Sequence, residues 1–491
     1  MRWDWFTDPD YWASRLAFQR MLAAIYLVAF VVAANQFRAL IGTNGLLPVP
    51  RFVGRVRFRR TPSLFHLHYS DRFFAATAYA GAAVSATLVF GLFDSAPVWA
   101  GMLVWAVPWV LYQSIVNVGQ IWYGFGWESL LLEAGFLAIF LGPADTAPPV
   151  LVLWLLLWLL FRVEFGAGMI KMRGDPCWRD LTCLDYHHET QPLPGPLSWY
   201  FHHLPRPLHK IEVATSHVTQ LVVPFALFAP QPAASIAAAC VIVTQGWLVL
   251  SGNFSWLNVL TITLAVSAVD TSLDTSLDIG LPRITPPPLA ELPTWHRVLV
   301  VAVTALVVAL SYLPVRNLVS RRQLMNYSFE ALHLVNTYGA FGSITRIRHE
   351  VVVEGTEERQ LRPDTVWREY AFKGKPGDPR RRPRQVAPYH LRLDWMMWFV
   401  SISPRYGESW LPKLAEKLLM ADRATLKLLR HDPFQGRRPA FVRARLFRYR
   451  YTTWRERKET GDWWAREPRG HVLRTARLGS DGAVVAVRET T

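Results

Sequence analysis

The chain has 491 residues, half of them hydrophobic, with 53 Lys and Arg against 37 Asp and Glu for a net charge of +16. Three cysteines in that length exclude a disulfide-built fold, and the length allows more than one domain. The charge is uneven: residues 1–315 hold 18 basic and 18 acidic side chains, whereas 316–491 hold 35 and 19. A neutral apolar part followed by a cationic part places a domain boundary near residue 315.

A bilayer core about 30 Å thick is crossed by about 17–25 apolar helical residues. Such stretches lie at 17–38, 73–93, 97–116, 124–142, 150–172, 213–229, 233–250, 254–269 and 296–314, so about nine spans are expected. The fifth is the clearest, because Val150 to Phe161 carries no charge; the eighth is short enough to be re-entrant. The first begins after a mostly polar stretch and no clear cleavage site follows it, which fits a retained anchor better than a cleaved signal peptide.

Two long loops separate the spans. The 39–72 loop is rich in arginine (Arg51, Arg55, Arg57, Arg59 and Arg60), and the 172–212 loop is rich in His, Pro and Trp. The 270–295 segment is acidic, with Asp270, Asp274 and Asp278, and its Pro286 to Pro288 run is incompatible with a helix interior, so it reads as a surface connection. With nine spans, a cytoplasmic 39–72 loop puts 172–212 and the cationic domain in the cytoplasm too, which is the arrangement positive charge favours.

Beyond residue 315 the pattern changes. The runs 344–353, 366–372 and 441–451 alternate as strands do, whereas Leu411, Leu414, Leu418 and Leu419 recur at helical spacing. The expected architecture is a multi-pass α-helical membrane bundle over 1–315, followed by a basic, β-rich α+β soluble domain over 316–491. A cationic domain suits lipid headgroups, an acidic client protein or nucleic acid; nucleic acid is the least supported, since no binding motif for it is present.

Charges inside a span are costly and raise a functional question. Glu133 in the fourth span and Arg162 and Glu164 in the fifth stand out, and Glu164, Gly168 and Lys171 share one helix face. One reading is an inter-helix ion pair, Glu133 with Arg162, that fixes packing. The other is a buried proton-handling site in which Lys171 acts as base, tuned by Glu164 and Glu133, on a quinone or lipid substrate.

Cys177, Cys183, His187 and His188 lie within twelve residues, but their spacing matches no standard zinc site. A packed loop, or a Cys177–Cys183 disulfide if the loop is extracytoplasmic, are the other readings. Trp199, Tyr200, His202, His203, His209 and Lys210 have the composition of a membrane-interface belt. Arg380 to Arg382 and Arg384 read as a solvated loop. Trp395, Met396, Met397 and Trp398 form either core or an adaptable surface for apolar clients, with Arg392 beside them. No nucleophile elbow, phosphate loop or dinucleotide fingerprint is present, and no cofactor or metal is expected.

Several blocks, in order, resemble the lipase maturation factor family: Ile41 to Pro48, Gly119 to Leu137, His188 to Pro205, Ser251 to Phe254, Trp367 to Tyr370, Lys375 to Asp378, Pro388 to Phe399 and Ala440 to Tyr451. The resemblance implies a multi-pass membrane protein that helps secreted lipases reach their active state, binding clients through the C-terminal region. It implies the endoplasmic reticulum membrane for a eukaryotic member and the cytoplasmic membrane for a bacterial one. The heavy use of Ala, Arg, Pro and Trp suggests a bacterial member. That family places the soluble domain on the lumenal side, against the charge count. Phe165 to Lys171, followed by Trp178, also resembles the lysine-bearing helix end of vitamin-K-dependent carboxylases, which implies a quinol-deprotonating role for Lys171.

Overall fold

The computed structural model describes residues 5–270, 285–480 and 483–487. Among them six helices are long and apolar enough to cross a membrane: Pro9–Leu40, Asp71–Val89, Val98–Val118, Val150–Arg173, Ala233–Ser251 and Thr294–Val319. In chain order the helices of this part are α1 (Trp12–Leu40), α2 (Asp71–Val89), α3 (Val98–Val118), α4 (Gly126–Ala138) and α5 (Val150–Arg173). They continue as α6 (Arg206–Leu221), α7 (Ala233–Ser251), α8 (Leu257–Val266) and α9 (Thr294–Leu310), which Tyr312–Val319 extends. The expected nine spans thus correct to six of full length and apolarity.

The three shorter helices nevertheless carry the chain between the same two ends of the bundle. At one end, Asp8 N–H donates to the Pro148 carbonyl at 3.2 Å, Trp12 Nε1 to Ala144 at 2.6 Å and Gln231 Nε2 to the Tyr11 hydroxyl at 2.8 Å. At the other, Gln36 donates to the His390 carbonyl at 2.7 Å and Asn253 to the Arg384 carbonyl at 2.8 Å. Six crossings alone would return the chain to the end it left, yet Asp8 and the soluble domain sit at opposite ends. α4, α6 and α8 supply the odd passages. α4 and α8 are short because neighbouring helices, not lipid, cover their ends, and backbone at membrane depth is tolerated where protein surrounds it. α6 has Lys210, Glu212, Ser216, His217 and Gln220 along it, so its apolar face is one-sided; Pro224 then breaks the path.

The soluble domain opens with a short ladder of β1 (Tyr327–Ser328) and β2 (Asn336–Thr337). The main sheet, among the described residues, is antiparallel and ordered β4-β3-β5-β6-β7, with β3 at Arg348–Thr356, β4 at Arg368–Glu369, β5 at Phe441–Tyr451, β6 at Trp464–Leu478 and β7 at Val484–Ala486. β3 and β5 run in register from Arg348 opposite Tyr449 to Thr356 opposite Phe441. Helices α10 (Arg392–Ile402) and α11 (Leu411–Leu419) pack on this sheet, and α12 (Trp454–Thr460), closed by a Thr453/Glu456 capping box, bridges β5 to β6.

The four leucines of α11 are buried, as their spacing implies. The expected strand at 366–372 shrinks to two paired residues, and β6 falls where Pro468, Gly470 and a charged run conceal a strand; its pairing with β5 is interrupted by register shifts. Pro286 to Pro288 are exposed and irregular, as a surface connection should be; Asp274 and Asp278 lie outside the described residues.

Candidate functional site

The intramembrane charges divide into separate clusters. Glu133 on α4 and Arg162 on α5 are both buried and form an ion pair. Burial of two charges is tolerable only when their remaining hydrogen-bonding positions are filled. Here the filling comes from beyond the last span: Asn336 donates to Glu133 Oε2 through its backbone N–H at 3.0 Å and its side chain at 2.9 Å, Tyr338 donates at 2.7 Å, and Arg162 donates to the Asn336 carbonyl at 2.7 Å. The packing reading of this pair therefore extends further than the sequence implied, because it also pins the start of the soluble domain.

Glu164 and Lys171 lie apart from that cluster. Glu164 accepts from Gln245 on α7 at 2.6 Å, and Lys171 donates to Ser216 on α6 at 3.1 Å with its ammonium 4.5 Å above the Trp178 ring. Of the three proposed chemical residues Glu133 is committed elsewhere, whereas Glu164 and Lys171 are near enough to act on each other electrostatically. The glycines beside Lys171 serve close packing, since a Cβ on Gly166 would come within 2.5 Å of the Tyr338 carbonyl oxygen, and one on Gly168 within 2.7 Å of Leu221. Small residues let the linker and α6 lie directly on α5.

Cys177 and Cys183 form a disulfide with their Cα atoms 4.8 Å apart, so of the readings of that segment the covalent one holds in the structure. His187 is buried beside them, its pKa pushed down to about 3 by burial and by His188. His188 instead approaches Glu212 at 3.4 Å, and His209 faces Asp185 at 3.1 Å.

The third cluster joins the two halves of the molecule. Arg392 at the start of α10 is fully buried, donates to Glu128 of α4 at 2.7 Å and to the Trp122 carbonyl at 2.5 Å, and lies 3.4 Å from the Tyr123 ring centre. Tyr112 donates to the other Glu128 oxygen at 2.5 Å, while Gln36 of α1 bonds the Arg392 backbone N–H at 3.2 Å. His390 packs within this cluster; burial, with Arg392 beside it, lowers its pKa to about 4. A second clasp lies upstream in the sheet: Arg348 pairs with Glu350 and donates to the carbonyls of Glu189 at 2.8 Å and Gln191 at 2.5 Å, and Lys375 reaches Glu350 at 2.9 Å.

These contacts revise the proposed client patch. Arg392, Trp395, Met396 and Met397 are buried between bundle and sheet, with the Trp395 ring 4.9 Å from Trp127, so they form core and not an open surface. Trp398 differs. It is half-buried, donates to the Thr190 carbonyl at 3.1 Å, and lines a shallow groove with Thr345, Ile347, Ser401 and Ile402; Ile347 and Ile402 are both exposed. The arginine run is a solvated loop, as expected, at Arg380, Arg382 and Arg384; only Arg381 is half-buried, donating to the Phe372 carbonyl at 2.7 Å.

Glu128, Asn336, Tyr338, His390 and Arg348 were not singled out by sequence reasoning. Glu128 stands five residues before Glu133, about 140° around the helix, which itself signals two carboxylates serving different partners.

A helical bundle closed at one end by a β-sheet cap, with buried charges clasping the two, is a multi-pass membrane protein whose soluble domain is an integral part of it. The chain belongs to the lipase maturation factor family. The family's transmembrane domain matches residues 13–275 and its C-terminal domain residues 334–474. Lipase maturation factor 1 of Mus musculus is 40% identical over 510 residues, covering 95% of this chain and 88% of that protein. The Homo sapiens protein of that name is 40% identical over 497 residues, covering 93% and 86%, and Homo sapiens lipase maturation factor 2 is 27% identical, covering 92% and 81%. No solved structure matches. The segment resembling carboxylases, Phe165 to Lys171, falls inside the matched transmembrane domain.

Proposed function

We propose that this protein is a membrane-anchored maturation factor that helps client lipases reach an assembled, active state. The observation that carries the reading is the collinear similarity, through both domains, to lipase maturation factor 1. The bundle anchors the soluble domain at one end, and the groove of Ile347, Trp398 and Ile402 offers apolar contact to an incompletely folded client. The Cys177–Cys183 disulfide lies at the same end as the soluble domain; disulfides persist in oxidising compartments, which supports a lumenal or extracytoplasmic position for both.

The test is to delete the gene and measure the specific activity of secreted lipases at equal protein abundance. Loss of specific activity, restored by the wild-type chain and by Lys171→Ala but not by Trp398→Ala with Ile402→Ser, is the expected result. Unchanged activity across all secreted lipases refutes the lipase function, and failure of Lys171→Ala alone, at normal protein level, replaces it with the enzymatic reading.

A further inference from the structure

Two arginines meet over the same aromatic rings at the seam between the soluble domain and the bundle. Arg457 on α12 holds its guanidinium carbon 3.4 Å from the Trp463 ring centre, 4.6 Å from that of Trp199 and 5.6 Å from that of Tyr200. Arg382 stands 5.2 Å from Trp463 and 5.9 Å from Tyr200. Two like charges therefore converge on one pair of rings. Among the described residues neither has a carboxylate partner: Arg457 donates to the Tyr200 hydroxyl at 3.4 Å, and Arg382 to the Pro196 carbonyl at 3.0 Å. Of the nearby acids, Glu456 is committed to Arg450 at 2.6 Å and Glu459 to Arg455 at 2.9 Å, while Asp462 faces Arg380 at 3.6 Å and pairs with neither Arg382 nor Arg457. Two guanidinium groups on the same rings leave a concentration of positive charge there that an anion would offset.

The seam adjoins the end of a span. Phe201, next to Tyr200, packs at 4.8 Å on Trp247, which is 42% exposed on the outside of α7 four residues before that span ends. Exposed Leu208 and Ile211 continue the apolar outer surface along α6, with exposed Arg206 and Lys210 interleaved. Trp454, 59% exposed, stands edge-on to Trp199 at 4.3 Å. Exposed aromatic rings with arginine beside them at a span's end are how proteins meet the polar layer of a bilayer.

We propose that Arg382 and Arg457, framed by Tyr200, Trp454 and Trp463, bind the phosphate headgroup of an anionic phospholipid in the leaflet beside the soluble domain. The guanidinium planes supply paired N–H donors to phosphate oxygens, and the acyl chains lie along Trp247, Leu208 and Ile211. An acidic protein segment would match the charge but has no use for the adjoining lipid-facing apolar strip.

The experiment uses the full-length protein purified in detergent, titrated with dioleoylphosphatidylglycerol or dioleoylphosphatidylcholine and read by native mass spectrometry. Phosphatidylglycerol should be retained preferentially, and Arg382→Gln with Arg457→Gln should reduce that preference by about tenfold or more. Equal retention of the two lipids, or a preference undiminished in a double variant that melts like wild type, overturns the proposal. Displacement of the lipid by excess inorganic phosphate would assign the site to a soluble phosphate ligand and also overturn it. So would an acidic client whose binding is lost in the double variant while lipid retention stays. A second reading needs no arginine variant: phosphatidylglycerol brominated on its acyl chains should quench tryptophan fluorescence more than brominated phosphatidylcholine, and Trp247→Phe should remove most of the difference. No difference in the wild-type chain refutes the site.

Discussion

At the level of single residues, buried charges do most to specify this molecule, and removing one partner should expose their cost. Glu133→Ala would leave the Arg162 guanidinium buried among Trp158, Tyr338 and the Asn336 carbonyl without its counter-charge. Breaking a buried pair in this way costs about 3–5 kcal/mol. A detergent-solubilised variant should melt well below wild type, with Glu133→Gln intermediate because its amide oxygen still accepts from Asn336 and Tyr338. An unchanged melting temperature for Glu133→Ala would show that the pair contributes nothing.

His390 gives a second expectation, in pH. Its pKa is lowered from the ordinary value of 6.5 to about 4, so the folded state prefers the neutral ring. The stabilisation is complete above pH 6.5 and fades as pH falls from 6.5 toward 4, for a total on the order of 3 kcal/mol. Acidification through that window should loosen the contact between the domains, seen as faster amide hydrogen exchange in α10, and His390→Asn should flatten the response. The Glu133–Arg162 pair was legible in the sequence because so few charges lie in the spans. Glu128 falls in the same expected span, 124–142, but its role was not legible, since its partner, Arg392, lies 264 residues away.

At the level of elements, the long apolar helices announce themselves by composition, and all six coincide with expected spans. α4 and α8 do not announce their true lengths, because a helix covered by other helices need not match the bilayer, and hydropathy cannot distinguish the two situations. The disulfide was one of the readings the sequence left open: spacing permits it, and the turn around Pro176–Arg179 brings Cys177 and Cys183 together.

The number of passages can be checked directly. Single cysteines placed at Arg359 in the soluble domain and at Asp94 at the opposite end should react with a membrane-impermeant maleimide from opposite sides of sealed vesicles. Labelling of both from one side would refute the odd count. In the same vesicles Cys177 and Cys183 should resist the reagent until a reductant is added on the side that exposes Arg359.

At the level of the whole molecule, the boundary in charge near residue 315 is real in composition but not in mechanics. Arg392 is held by the bundle, Arg348 by the carbonyls of Glu189 and Gln191, and Trp199 Nε1 by the Thr452 carbonyl at 2.9 Å. A fragment beginning after Val319 would therefore expose Arg392, Trp395 and Met397, which the full chain buries. Such a fragment should aggregate on expression, and Arg392→Leu should rescue its solubility little, since the apolar surface remains. A monomeric, cooperatively melting fragment would show the domain to be autonomous. Sequence alone left Trp395 to Trp398 as either core or a sticky patch, because composition does not reveal which surface an apolar segment meets.

The clasp at Glu128 also sets a timetable for biosynthesis. The ribosome adds about 5–20 residues per second, so the 264 residues separating Glu128 from Arg392 correspond to roughly 10–50 s of translation. Throughout that interval the nascent chain holds an acid without its arginine, first while α5 to α9 are added and then at the mouth of the completed helical core. Any product that terminates early keeps that defect for good, which hands cellular surveillance a simple way to tell unfinished copies from finished ones.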